Sequence, residues 1–294
     1  MKLTCVTAVF NAVKSGNRDR LIKCVESVAK LKTEHEHLIY DGASTDGTIE
    51  LLRELECRTI GLKVFSEPDT GIYNALNKGI RDAKGEWFYV LGCDDYICNP
   101  ELMDKIISEL NNDCDIFATA VVYGSADGLR TTLSIPCLTD IYNRQCACHQ
   151  GEIMRTRVAR ELRGFDEQYQ IAADSDMFFK AHLARYKFKY DKVAFATNVC
   201  VGVSSLNSSV AAREHRISVA NVLNLPRKER DLLINKKVLS FMRCIRLWNC
   251  GDAVVYRSAR TMFWRRIKRI IRFCLYPLVV LSRPLRKYKF MSID

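Results

Sequence analysis

Neither of the glycine signatures that cradle phosphates in α/β proteins occurs in this sequence. Its 14 glycines form no G-x-G-x-x-G and no G-x-x-x-x-G-K-[ST], which argues against a dinucleotide held in a βαβ turn and against a P-loop ATPase. Proline is scarce, at 6 in 294 residues, and there is no fixed-period repeat or low-complexity stretch. Solenoids, propellers and proline-rich linkers are thereby excluded. Long apolar runs are missing as well. The most apolar part of the C-terminal region, FCLYPLVVL at 273–281, has nine residues, where a membrane-spanning helix needs about 20. The opening MKLTCVTAVFNAV lacks the apolar core of an export signal and reads as a first strand. That predicts a cytoplasmic chain whose 13 cysteines are reduced and mostly buried. Cys146 and Cys148 stand beside His149, but no second ligand pair lies at zinc-finger spacing.

Apolar side chains make up 48% of the chain, ample for one large core, or one domain with an extension. Charge is uneven. The net charge is +11, yet eleven Lys or Arg and a single acid lie between Arg257 and Asp294. The body is near neutral and the tail basic, which points to an anionic partner, either membrane or nucleic acid.

The first hundred residues alternate between two periodicities. KLTCVTAVF, HEHLIYD, LKVFSE and EWFYVLG read as strands. Between them, 17–31, DGTIELLREL and GIYNALNKGIRDA have helical spacing, with Thr45 or Asp46 able to cap the second. Strand and helix in alternation imply parallel pairing through crossover helices, hence an α/β sheet covered on both faces. DIFATAVVYG, LRTTLSIP and FKYDKVAFA are strand-like, a helix is expected to start near Arg155, and from about Ala211 the pattern is helical and increasingly basic.

In such sheets ligands bind beyond the carboxyl ends of the strands. Asn11, Asp41, Glu67 with Asp69, and Asp94 with Asp95 follow the four strands in turn. The adjacent pair Asp94-Asp95 is the sharpest of these. Two carboxylates at the end of a buried strand repel each other unless a cation sits between them. A helix cap ahead of Pro100-Glu101 is the plainer explanation, but acids and amides delivered by four successive strands to one rim favour a site. A divalent cation bridging carboxylate and diphosphate oxygens would hold a phosphate ligand without a glycine loop. Asp95 could bind that metal, and Asp94 could hydrogen-bond a ribose or sugar hydroxyl.

VTAVFNA, IYDGASTDGT, SEPDTGIYNALNKGI and GEWFYVLGCDD, followed in order by CHQGEIMR, GFDEQY and IAADSDMFFK, resemble the family-2 glycosyltransferases of the GT-A fold, over roughly residues 3–205. The resemblance implies a Rossmann-like mixed sheet flanked by helices and an enzyme that transfers a sugar with inversion from a nucleotide-diphosphate donor, a UDP-sugar. It implies that Ala8, Phe10, Asn11 and Asp41 hold the nucleotide and that Asp69 and Asn77 border its pocket. In the family's D-x-D element, here contracted, Asp95 is the ligand of a Mn2+ or Mg2+ ion. Asp174 aligns as the base that deprotonates the acceptor hydroxyl, with Asp176 as its neighbour and Ser175 where the family usually has an aromatic. His149 and Gln150 are expected to contact acceptor or phosphate. Tyr73, Asn77 and Lys78 lie on or before one helix, where a solvated face is the alternative.

The expected organisation is a catalytic domain over 1–210, with a nucleotide-sugar half (1–98) and an acceptor half (99–210). A helical basic extension over 211–294 follows. In the tail, Phe263, Trp264, Ile267, Ile270 and Ile271 alternate with Arg and Lys. That suits an interfacial segment on anionic lipid at the inner face of the cell membrane, or a helix packed on the body with a solvated basic face. No nucleic-acid module is present. The resemblance is to the branch that builds surface polysaccharides, so a lipid-linked saccharide is the expected acceptor. Two other classes compete: a sugar nucleotidyltransferase, whose basic glycine-rich first loop VFNAVKSGNRDR matches poorly, and a non-catalytic binding protein, which would not need paired acids.

Overall fold

The computed structural model describes residues 1–124, 131–134, 148–199, 207–225 and 227–236. The basic tail, Cys146 and half of LRTTLSIP lie outside the described residues. Within them eight strands form one sheet: β1 (Leu3–Val9), β2 (His35–Asp41), β3 (Leu62–Ser66), β4 (Trp87–Val90), β5 (Ile116–Gly124), β6 (Thr131–Ser134), β7 (Glu152–Arg155) and β8 (Phe188–Val199). Their order is β3-β2-β1-β4-β7-β5-β6, with β8 on the other edge of β5. β1, β2, β3 and β4 are parallel, whereas β7 runs antiparallel to both β4 and β5. The sheet is therefore mixed. The helices of the first half are α1 (Arg18–Ala29), α2 (Thr48–Arg58), α3 (Ile72–Asp82) and α4 (Pro100–Glu109). Those of the second are α5 (Thr156–Glu161), α6 (Ala173–Leu183), α7 (Ser208–Val222) and α8 (Arg227–Lys236).

β1 is buried on nearly every residue, because helices cover both faces of the parallel region. Leu3, Cys5, Cys24, Val28, Trp87, Tyr89, Met103 and Ile107 pack together in one core cluster. Val9, Leu21, Val25, Ile39, Leu52 and Leu55 pack in a second. Each full burial of such an aliphatic or aromatic side chain contributes roughly 1.5–3 kcal/mol. The described cysteines are less buried than expected: Cys5, Cys24 and Cys114 are buried, Cys93 and Cys148 partly so, and Cys57 and Cys98 are exposed. One imidazole is buried in the sheet too. Thr7 donates its hydroxyl to the Leu91 carbonyl and pairs at 2.9 Å with Nε2 of His37. Burial, then the neighbouring His35, pushes the His37 pKa down to about 3, so His37 is neutral and Nε2 carries the proton toward Thr7.

The expectation that Thr45 or Asp46 caps α2 is corrected. α2 is preceded by Gly47 in the left-handed region at φ 92°, which takes the cap position. Asp46 stands one residue earlier, where its carboxylate accepts the N–H groups of Thr48 and Lys14. α4 is capped by Asn99, whose side chain accepts the Leu102 N–H at 3.0 Å, with Pro100 opening the helix. Asp94 and Asp95 therefore do not cap that helix. The expected boundary at 210 falls inside α7, a helix that packs on α6.

β1 pairs with β2 on one side and β4 on the other, both in parallel. Successive crossovers leave in opposite directions there, and a crevice opens at the carboxyl ends of the two strands. The candidate site lies at that crevice.

Candidate active site

β4 is followed by buried Leu91 and partly buried Gly92, and the chain then turns, with the Asp95 N–H bonded to the Gly92 carbonyl at 3.1 Å. A Cβ at Gly92 would stand 2.8 Å from Asp95 Oδ2 and 3.1 Å from Asp94 Oδ1. Glycine here lets both carboxylates fold back over the end of the strand. Asp95 is 4% exposed, and Gln150 donates from Nε2 to its Oδ2 at 2.8 Å. The other amide atom of Gln150, Oε1, is buried with no hydrogen-bond partner. Burial, then the charges of Asp94 and Asp95, pushes the preceding Cys93 thiol up to about 12. This concentrated negative charge, built from hard oxygen atoms, fits Mn2+ or Mg2+ rather than a thiolate-loving metal. Among the described residues no cluster of three or more His, Cys, Asp or Glu forms a self-sufficient metal cage. Such an ion would need phosphate oxygens and water to complete its shell.

Asp174 stands in the first turn of α6. Its side chain is 13% exposed. The Ser175 N–H donates to its Oδ1 at 2.7 Å, and Nδ1 of His149 lies 3.5 Å from its Oδ2. Burial opposes a charge on His149. The Asp174 carboxylate beside it, with Asp95 and Glu152, outweighs burial and raises the His149 pKa above the ordinary value. His149, Glu152 and Asp174 line a cavity of about 30 Å³ with Phe88, Met154 and Met177, room for a water or two. Burial, then the Asp174 charge, pushes the Glu152 carboxyl up to about 8, with His149 pulling the other way. Glu152 is a residue that sequence reasoning passed over, although it lies inside the CHQGEIMR motif.

The three-residue 3-10 turn His149–Gly151 thus reaches both acidic centres. His149 faces Asp174, and the adjacent Gln150 holds Asp95. Asp176 points elsewhere. It is 1% exposed, pairs with Lys180 at 2.6 Å, and accepts the Ser218 hydroxyl at 2.6 Å. Between the two aspartates, only Asp174 lines the cavity.

Beyond β2, the Asp69 carboxylate and the Phe10 ring lie close over Gly42. A Cβ there would stand 2.9 Å from Asp69 Oδ2 and 3.2 Å from the Phe10 ring. Phe10 is 65% exposed, and Asp69 is steadied by the Gly71 N–H at 2.9 Å. Asn11, at φ 46°, accepts the Thr45 N–H and donates its own N–H to Ser44. Ala8 is partly buried on β1.

Asp41 and Asn77, both expected at the nucleotide-sugar pocket, are hydrogen-bonded within the fold. Asp41 is 1% exposed, and its carboxylate accepts the Ser44 N–H, the Ser44 hydroxyl and the Ser66 hydroxyl. It braces the loop after β2. Asn77 donates to the Phe165 carbonyl at 2.9 Å and accepts the Phe165 N–H at 2.7 Å. Its amide ties α3 to the loop before α6. Tyr73, on the same helix, donates to the Ile171 carbonyl, and Lys78 pairs with Glu67 at 2.7 Å.

The sequence pattern described as "Glycosyl transferase family 2" matches residues 4–202. A chondroitin synthase of Escherichia coli is 26% identical over 166 residues, which are 54% of this chain and 24% of that protein. The chain therefore spans about a quarter of that relative. An uncharacterized glycosyltransferase of Mycobacterium tuberculosis is 25% identical over 189 residues, 62% of this chain and 69% of the relative. Among solved structures, S. aureus TarS 1-349 in complex with UDP-GlcNAc has a TM-score of 0.61 at 19% identity, covering 81% of this chain and 71% of that one. A Pyrobaculum calidifontis mannosyltransferase in complex with GDP-Man and Mn2+ has a TM-score of 0.60 at 13% identity, covering 90% and 87%. The mixed sheet flanked by helices is the GT-A fold. With its pattern matched across residues 4–202, the chain belongs to glycosyl transferase family 2.

Proposed function

We propose that the chain transfers a hexosyl or N-acetylhexosaminyl group from a UDP-sugar to a hydroxyl of a saccharide acceptor, with inversion. The acceptor in this reading is lipid-linked and the product a cell-surface polysaccharide. The observation that carries the reading is the turn at 149–151, which links the acidic pair after β4 to the aspartate opening α6. A single displacement needs both: charge neutralisation at the leaving diphosphate and a base on the opposite side of the reacting carbon.

Phe10 and Asp69 flank the slot for the nucleobase, with Ala8 and Asn11 along its edge. Asp94 takes a hydroxyl of the ribose or sugar. Asp95, held by Gln150, would bind Mn2+ or Mg2+, which when present would offset the charge gathering on the diphosphate. Asp174 accepts the proton of the acceptor hydroxyl as that oxygen bonds to the anomeric carbon. The bond from carbon to diphosphate oxygen breaks, and its electron pair leaves with the nucleoside diphosphate. His149 steadies the Asp174 carboxylate.

No helix among the described residues is long and apolar enough to cross a membrane. The eleven Lys and Arg after residue 256 support a peripheral attachment to anionic lipid at the inner face of the cell membrane. A panel of UDP- and GDP-sugars, assayed with and without Mn2+, tests the reading. Release of nucleoside diphosphate supports a transferase, release of pyrophosphate indicates a nucleotidyltransferase, and neither product leaves a binding protein. The anomeric configuration of the product, read by NMR, tests inversion.

A further inference from the structure

α6 begins after Ala172, which has no side chain able to cap a helix. The donors at this end are met from elsewhere in the fold. Glu214, on α7 and 8% exposed, accepts the Gln170 N–H at 3.0 Å on Oε1. On Oε2 it accepts the N–H groups of Ile171 at 2.9 Å and Ala172 at 3.0 Å. From the opposite side, the Tyr73 hydroxyl donates to the Ile171 carbonyl and accepts the Ala173 N–H at 3.3 Å. Two further α7 residues continue the contact along α6: His215 Nδ1 pairs with the Ser175 hydroxyl at 2.6 Å, and Ser218 donates to Asp176 at 2.6 Å. A buried carboxylate is costly unless donors surround it. Three consecutive backbone N–H groups and the positive end of α6 provide that environment.

We propose that Glu214 is a positioning residue for the transfer step: by holding the backbone of Gln170–Ala172 it fixes the first turn of α6 and thereby the place of the Asp174 carboxylate. The inference rests on Asp174 being the base. Glu214 lies beyond the residues 4–202 that match the family pattern, so this part of the catalytic apparatus comes from the segment that follows the family match. A displacement of the base by about 1 Å is enough to cost on the order of a hundredfold in rate.

The test compares Glu214→Gln, Glu214→Asp and Asp174→Asn with the unaltered full-length chain. UDP affinity is measured by calorimetry, turnover on the panel of UDP- and GDP-sugars with Mn2+, and amide hydrogen exchange at 170–172. Glu214→Gln, which turns one acceptor into a donor facing N–H groups, should speed exchange at 170–172 and lower kcat at least tenfold, with UDP affinity unchanged. Glu214→Asp should recover part of kcat if the carboxylate itself is what matters, and it serves as the second variant if Glu214→Gln does not fold. Unaltered kcat in a folded Glu214→Gln chain overturns the proposal, as does a loss of UDP affinity matching the loss of kcat. Unaltered kcat in Asp174→Asn instead overturns the assignment of the base, whatever Glu214→Gln does to exchange.

Discussion

Gln150 donates from Nε2 to Oδ2 of Asp95 at 2.8 Å, although 55 residues separate them in sequence. The bond orients the buried carboxylate proposed to hold the metal. Groups of this kind, one step removed from the ion, typically affect metal affinity 10–100-fold.

Gln150→Ala should therefore raise the Mn2+ concentration needed for half-maximal turnover by about tenfold or more, with little change in UDP binding measured without metal. A Mn2+ titration of activity checks this. An unchanged midpoint would mean that Asp95 needs no help from Gln150.

The close approach of Phe10 and Asp69 to Gly42 makes a steric prediction. Gly42→Val would push branched carbon into the space between Phe10 and Asp69, where even a Cβ stands 2.9 Å from the Asp69 carboxylate. UDP affinity should fall about tenfold, equal to about 1.4 kcal/mol, with the fold intact by circular dichroism. Calorimetric titration with UDP decides it, and an unchanged affinity would move the nucleobase elsewhere.

The first half of the fold was legible because its signals are local. Alternating periods of two and 3.6 marked each strand and helix, and the acids fell where strands ended. What the sequence did not disclose depends on contacts across the fold. Asp41 is occupied by Ser66, 25 residues away, and Asn77 by Phe165, 88 residues away. Nothing near Glu214 in sequence hints that it serves a helix beginning 41 residues earlier.

Glu152 gives the stability of the protein a pH dependence. Its folded pKa is raised to about 8 from an ordinary 4.5, so between those values the folded chain holds a proton that the unfolded chain has lost. Stability attributable to this group should fall as pH rises through that window, by up to about 1.4 kcal/mol per pH unit. Glu152→Gln removes the titration. The variant should gain on the wild type in thermal melts from pH 5 to pH 8, with the gain levelling off above. A constant difference across that range would show that Glu152 is ionised in the folded protein.

The tail makes a separate prediction. Each Lys or Arg near an anionic surface contributes about 1 kcal/mol, and salt screens that attraction. The full chain should pellet with phosphatidylserine-containing vesicles at low salt and less so at high salt. Truncation before Arg257 should release it while sparing nucleoside diphosphate release from the donor. A truncated chain that still pellets would put the attachment elsewhere.

The most direct test of the proposed chemistry is kcat for Asp174→Asn in sugar transfer. The amide keeps the shape of the carboxylate but cannot take the acceptor proton. Turnover should fall by about a hundredfold or more, with UDP affinity unchanged. Turnover within a few-fold of the wild type would contradict the assignment of Asp174 as the base.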